Sequence, residues 1–269
     1  MSNFETIPLA TDERLDKVNE NITLIQKKNG LTFGSDAYLL AAFVRPDKNA
    51  LCVDLGSGTG IIPLLLCRRD KVARAVGVEV QADFANLIDR NAAINGVSDR
   101  LTALHTDVRD LTQVTLGAAL DEESGKGRCA DVVVANPPYM RTDSGRRNEA
   151  EAKYIARHEV CGGIGDFCAA AARVLRFGGS FYVVWRPDRL TELMAALNKE
   201  KLEPKRMTFV HADAESEPGM VLIEARAGGK ASLLVTPPLI LHEVESRGMS
   251  HRPLTEAAQG VYESMSLGY

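Results

Sequence analysis

The most specific chemistry in this sequence lies where an apolar run, Asp131–Ala135, passes directly into Asn136-Pro137-Pro138-Tyr139. Asn136 offers a side-chain oxygen, Pro137 a backbone carbonyl with no N–H of its own beside it, and Tyr139 a flat apolar ring. Two acceptors and a ring suit a planar –NH2 group: the acceptors meet its two hydrogens while the ring stacks on the conjugated system that carries it. A rigid turn leaving a strand is the plainer reading of the same residues.

A second group of residues could hold a reactive partner. Val53-Asp54-Leu55-Gly56-Ser57-Gly58-Thr59-Gly60 falls where the first strand of the core should turn into a helix. Glycines at that turn permit tight curvature and close approach of a ligand to the backbone. The spacing is GxGxG rather than the GxGxxG of dinucleotide sites. The next strand ends at Glu79, an acid placed to accept both hydroxyls of a ribose. After a third strand comes Thr106-Asp107-Val108, where an acid can meet an adenine amine and the valine can pack on its face, although an Asp there is often only a helix cap. No GK[ST] element is present, so the expected ligand is a nucleoside without phosphates.

The elements that must position these residues follow from apolar periodicity. Strands are predicted near Ala50–Asp54, Arg74–Glu79, Leu101–His105, Asp131–Ala135 and Gly179–Trp185, with helices at Ile61–Arg69, Ala82–Asn95 and Ile164–Arg176. Phe177-Gly178-Gly179 is expected to stop the last of these. After a helix near Asp188–Lys201, Lys205–His211 and Gly219–Ala227 are expected to pair antiparallel. Gly117–Arg128 reads as a solvent loop. Before the core, an apolar helix over Ala37–Val44 has Ser35 or Asp36 as cap; after it come a short strand, a Pro237-Pro238 break and a helix over Thr255–Met265.

Composition sets the outer bounds. With 269 residues, 45% hydrophobic and 25% charged, the chain should form one α/β domain, with 1–49 as an N-terminal cap segment, 50–230 as core and 231–269 as a C-terminal extension. A net charge of −4 argues against wholesale electrostatic binding of nucleic acid and requires any basic surface to be local. The five cysteines form no CxxC pair, so neither a metal site nor a disulfide framework is expected. With no signal-peptide core and no long apolar window, the expected compartment is the cytoplasm, without membrane attachment.

The pairing of DLGSGTG with NPPY resembles the class I S-adenosylmethionine-dependent methyltransferases of the amino-methylating NPPY group over about residues 30–230. The resemblance implies a Rossmann-like, seven-stranded, mostly parallel sheet with an antiparallel C-terminal hairpin and helices on both faces. It implies S-adenosylmethionine as cofactor, held by Asp36, Asp54, Gly56, Ser57, Gly58, Gly60, Glu79, Asp107, Val108 and Asn136. Asn136, Pro137, Pro138 and Tyr139 would take the amine. Tyr154–Glu159, Trp185–Glu192, Val235–His242 and the Gly30–Ala41 run are further similar to the bacterial tRNA(Val) adenine-N6 methyltransferases, which implies tRNA, at its anticodon loop, as partner. Arg141, Arg146, Arg147, Arg157, His158 and Arg186 are then candidates for RNA contact, and a solvated, internally ion-paired face is the alternative for each. Other functions fit NPPY or the cofactor turn, and methylation of another RNA base amine by an NPPY-type enzyme is one of them. A release-factor glutamine methyltransferase would need a larger N-terminal substrate domain than the segment before residue 50, and a non-catalytic cofactor- or RNA-binding module would have no use for so complete a set of motifs. Monomer and homodimer are equally open.

Overall fold

The computed structural model describes residues 8–29, 34–120, 127–138 and 162–267. Its centre is β3 (Asp47–Leu55), whose last six residues are all buried, as a strand covered on both faces must be. On one side β3 pairs in parallel with β4 (Val72–Glu79), and β4 with β5 (Leu101–His105). On the other it pairs with β6 (Ala130–Ala135), which pairs with β7 (Leu175–Trp185). Then β9 (Pro218–Ala227) runs antiparallel between β7 and β8 (Leu202–His211). From one edge the order is β5-β4-β3-β6-β7-β9-β8, the expected seven strands and hairpin. The count is exceeded: the two-residue strands β10 (Leu234–Val235) and β11 (Leu239–Ile240) add to β8 in parallel, because the Pro237-Pro238 step only interrupts the edge pairing.

Alternation along the strands sorts the core into two layers. Cys52, Val132, Val134, Tyr182, Val184 and Leu222 face α1 (Ser35–Phe43), α2 (Ile61–Arg68), α3 (Ala82–Ile94) and the C-terminal α7 (Glu256–Ser264). Their neighbours one residue away, such as Val53, Val133 and Phe181, face α4 (Gln113–Ala119), α5 (Ile164–Val174) and α6 (Leu190–Lys199). Helices therefore cover both faces. Cys52, Cys67 and Cys168 are buried free thiols and Cys129 is half-buried, while Cys161 lies outside the described residues.

Several sequence expectations are corrected. The N-terminal segment contains a hairpin, β1 (Glu13–Asn19) with β2 (Ile22–Lys27), where no strand was expected. The inward edge of β2 is satisfied by a helix instead of a strand. Ile25 N–H donates to Asn91 Oδ1 (2.7 Å) and Thr23 N–H to Asn95 Oδ1 (3.0 Å), while the two amide nitrogens donate back to the Ile25 and Thr23 carbonyls. Four helical residues rise about 6 Å, close to the roughly 6.7 Å of two strand residues, so amides at i and i+4 match alternate strand residues. Gly178-Gly179 does not stop α5, which ends at Val174. Both glycines lie within β7 where the register jumps from Ala130–Leu175 to Val132–Ser180, and Gly178 has φ +76, as a bulge requires. The helix expected from Asp188 begins as a 3-10 turn at Pro187–Arg189, because Pro187 lacks the N–H an interior position needs. Gly117 lies within α4 and is buried, so the loop starts later than expected.

Helix α1 is held from below. Buried Lys71 donates to the carbonyls of Ala41 (2.8 Å) and Ala42 (2.9 Å), and buried Arg206 donates to that of Phe43 (2.6 Å). Three carbonyls left without helical partners thereby meet two cations at the negative end of the dipole. Arg206 also pairs with buried Glu224 (3.0 Å) and lies 3.8 Å over the Phe43 ring.

Candidate active site at the ends of the parallel strands

Chain order reverses at β3, whose sequence neighbour β4 lies on one side and β6 on the other; ligand crevices of open α/β sheets form outside the strand ends at such a point. Register then decides what meets there. Leu55 is paired with Val78 on one side and with Ala135 on the other, so Gly56, Glu79 and Asn136, each the next residue along, emerge side by side.

The glycine turn is fixed by backbone bonds. Gly56 and Ser57 N–H groups both donate to the Val78 carbonyl (2.9 Å), and Gly58 N–H donates to Glu79 Oε2 (2.9 Å). Gly58 and Gly60 have φ +57 and +83, which side chains with a Cβ rarely adopt. A Cβ on Gly58 would meet no atom within 4 Å, so space opens beside the turn, whereas Gly60 is closed in by Ile88. Asn91, the same residue that docks β2, donates to the Thr59 carbonyl (2.9 Å) and ties hairpin, helix and turn together.

Two buried acids flank the turn. Glu79 accepts Gly58 N–H on one oxygen and Gln81 N–H on the other, both at 2.9 Å. Asp54 accepts the Ser57 hydroxyl on Oδ2 (2.6 Å), while its buried Oδ1 has no partner among the described residues. Burial pushes the Asp54 carboxyl up to about 7, opposed by the Ser57 hydrogen bond and aided by Glu79. An unpartnered buried acceptor beside an open glycine turn is what an incoming cationic or N–H-bearing ligand would satisfy. Asp107 lies past the β5 end with its carboxylate held by Arg109 (2.9 Å from Nε), and Val108 is buried under the sheet.

On the substrate side, Asn136 and Pro138 are half-buried and Pro137 is buried. Asn136 Nδ2 donates to Asp36 Oδ2 (2.9 Å) from the first turn of α1. Tyr262 of α7 stacks on Tyr38 (centroids 4.8 Å, planes 27°) and hydrogen-bonds Ser35, bringing the C-terminal helix to this rim. Arg186, after β7, pairs with Asp188 (2.5 Å from Nη2 to Oδ2). Tyr139, Arg141, Arg146, Arg147, Arg157 and His158 lie outside the described residues. Thus the structure brings together Asp36, Asp54, Gly56, Ser57, Gly58, Gly60, Glu79 and Asn136. Asn91 and Tyr262 were missed from the sequence; the i, i+4 asparagines of α3 were the available signal for the first.

A predicted O-methyltransferase from Agrobacterium tumefaciens superposes with a TM-score of 0.65 over 86% of this chain and 97% of its own, at 23% identity. TYW2 of Pyrococcus horikoshii superposes at 0.53 over 82% and 73%, at 16% identity. A precorrin methyltransferase domain model matches residues 36–117, the stretch from α1 to α4 that carries the glycine turn. Curated relatives named tRNA1(Val) (adenine(37)-N6)-methyltransferase cover the Asn136 side as well. The protein from Porphyromonas gingivalis is 29% identical over 215 residues, 78% of this chain and 80% of its own, and that from Phocaeicola vulgatus is 29% identical over 204 residues, 76% and 80%. The chain has the fold of these methyltransferases. Among the described residues no helix is long and apolar enough to cross a membrane, and no cluster of potential metal ligands occurs.

Proposed function

We propose that the protein methylates the exocyclic N6 amine of adenine 37 in the anticodon loop of tRNA1(Val), with S-adenosylmethionine as donor, in the cytoplasm. The observation that carries this reading is the register of β3 with β6, which puts the Asn136 amide beside Gly56 of the glycine turn. The names of the curated relatives supply the nucleotide and the tRNA.

The residues present fit the donor: the open side of Gly58 would accommodate its amino-acid part, Asp54 Oδ1 would supply an acceptor for an N–H group, and Glu79 retains lone pairs for ribose hydroxyls. When bound, S-adenosylmethionine supplies a methyl group activated by a sulfonium. Everything else falls to the chain. An adenine amine is a weak nucleophile because its lone pair is delocalised into the ring. Accepting its two hydrogens at Asn136 Oδ1 and the Pro137 carbonyl draws density back onto nitrogen and favours a pyramidal geometry. Transfer from such a donor would leave a neutral thioether, and the amine nitrogen held by Asn136 and Pro137 would release one proton to solvent. Positioning supplies most of the acceleration. Tyr139 would stack on the base, and the Arg141–His158 segment with Arg186 would grip phosphates while the base leaves its stack.

The test is transfer of labelled methyl groups from S-adenosylmethionine into an unmodified tRNA1(Val) transcript. Incorporation is expected with the wild-type protein, and both Asn136→Ala and replacement of adenine 37 by guanine should remove it. Incorporation that survives either change refutes the reading.

A further inference from the structure

Asn136 can act as an acceptor only if its amide is turned with oxygen toward the target, and nitrogen and oxygen of such a group are nearly identical in shape. What settles the orientation is the charge of its neighbour. Asp36 Oδ2 lies 2.9 Å from Asn136 Nδ2. A carboxylate only accepts, so the amide nitrogen must face it and Oδ1 must face the other way. We infer that Asp36 is a positioning residue of the methyl transfer: it holds the Asn136 amide so that Oδ1, rather than Nδ2, is presented to the substrate amine. This inference rests on the proposed amine methylation for its consequence, but not for the hydrogen bond itself.

The rest of the local structure is organised to keep Asp36 in this role. Its second oxygen, Oδ1, accepts from Ala37 N–H (2.9 Å), so the carboxylate is held at both ends. Gly34 leaves the room: a Cβ there would come 2.6 Å from Asp36 Oδ1 and push the carboxylate aside. Tyr262 flanks the same turn through Ser35 and through its stack on Tyr38, whose hydroxyl donates to the Tyr262 carbonyl (2.7 Å). The lower end of α1 cannot slide, because Lys71 holds the Ala41 and Ala42 carbonyls. A residue that would pass for an ordinary helix-start acid is in this way aimed at a group on a different strand end.

The two-point hold predicts an unusual result for the isosteric variant. Asn at position 36 has one acceptor oxygen for two N–H donors, Ala37 and Asn136. If its oxygen stays on Ala37, its nitrogen faces Asn136 and selects the wrong amide orientation. Asp36→Asn should therefore slow single-turnover methyl transfer about tenfold or more, as should Asp36→Ala, while the dissociation constant of S-adenosylmethionine by calorimetry stays within about threefold. Gly34→Ala should act in the same direction without changing the chemistry of residue 36. Wild-type transfer by Asp36→Asn overturns the inference, and so does a loss of S-adenosylmethionine binding that parallels the loss of rate, which would make Asp36 a cofactor ligand. A readout without substrate separates this from the proposed function. In 15N spectra of the full chain, the side-chain NH2 pair that disappears in Asn136→Ala should carry one strongly downfield proton, and that proton should return to an ordinary shift in Asp36→Ala. If the pair does not respond to position 36, the inference fails. If it responds while wild-type protein leaves tRNA1(Val) unmodified, only the substrate assignment fails.

Discussion

The two ends of α1 are built on opposite principles. Its C-terminus is buried under Lys71 and Arg206, with Glu224 balancing the arginine, so charge is sealed inside the protein to hold three carbonyls. Its N-terminus is open: Gly34 and Ser35 are exposed, and one half-buried carboxylate reaches across to Asn136. Burial at one end creates a fixed post, and exposure at the other lets substrate approach what the post supports. Stability and turnover should therefore separate along a single helix.

The strongest way to break the comparison is Arg206→Met, which among the described residues leaves the Glu224 carboxylate with the exposed Arg45 alone as ion-pair partner (3.3 Å). Leaving one member of a buried pair uncompensated costs about 3–5 kcal/mol. Denaturant unfolding should show that loss, with the transfer rate per folded molecule within about threefold of wild type; a loss below about 1 kcal/mol would mean that the lower end is not a post. Next comes Asn91→Leu, which keeps the branching but leaves Ile25 and Thr59 backbone groups unsatisfied, at about 1–3 kcal/mol in total stability. Its distinguishing sign is weaker S-adenosylmethionine binding, since the glycine turn loses its tie to α3, and unchanged affinity would separate hairpin from turn.

A smaller effect is expected at Asp54, whose carboxyl is raised from 3.8 to about 7, chiefly by burial. Between about pH 4 and 7 the unfolded chain has released this proton and the folded protein has not, so stability falls as pH rises through that window and the deficit remains above it. Asp54→Asn should lack this fall and be the more stable form at pH 8, by about 1–2 kcal/mol. Parallel stability profiles for the two proteins would contradict it. The smallest change in stability belongs to Gly34→Ala, under about 1 kcal/mol, against the large loss of transfer expected of it. Arg206→Met and Gly34→Ala should thus be mirror images, and a variant pair that moves both properties together would erase the distinction between the ends.

The sequence disclosed parts of this site unevenly, and the reasons are physical. Gly56, Gly58 and Gly60 were legible because turns with φ > 0 nearly demand glycine, and Asn136 because a strand that ends in Pro-Pro has few other uses. The hairpin over residues 13–27 was not legible: its turn, Glu20-Asn21, lacks the glycine that marks a tight hairpin, and β2 finds its inward partners on a helix. Gly178 misled because a positive φ serves a helix end and a strand bulge equally well, and only the pairing of Leu175 with Ala130 tells them apart. Asp36 was read as a cap or a cofactor contact because its distinguishing partner is 100 residues away.

The docking of β2 on α3 also fixes how the protein breathes. Two asparagines give a ladder of two rungs and Arg90 of α3 adds a bidentate pair with Glu13 of β1, so peeling the hairpin from α3 gives up those bonds and the burial of Ile22 and Leu24 while β3 and β6 remain paired on both sides. Amide protons of Thr23 and Ile25 should accordingly exchange with solvent at the free energy of this local opening, well ahead of Val53 and Val133, which wait for the whole sheet. Asn91 is shared with Thr59, so each opening leaves the glycine turn held by an amide that has lost its hairpin partner. A ligand seated on that turn would slow exchange in a hairpin it never touches.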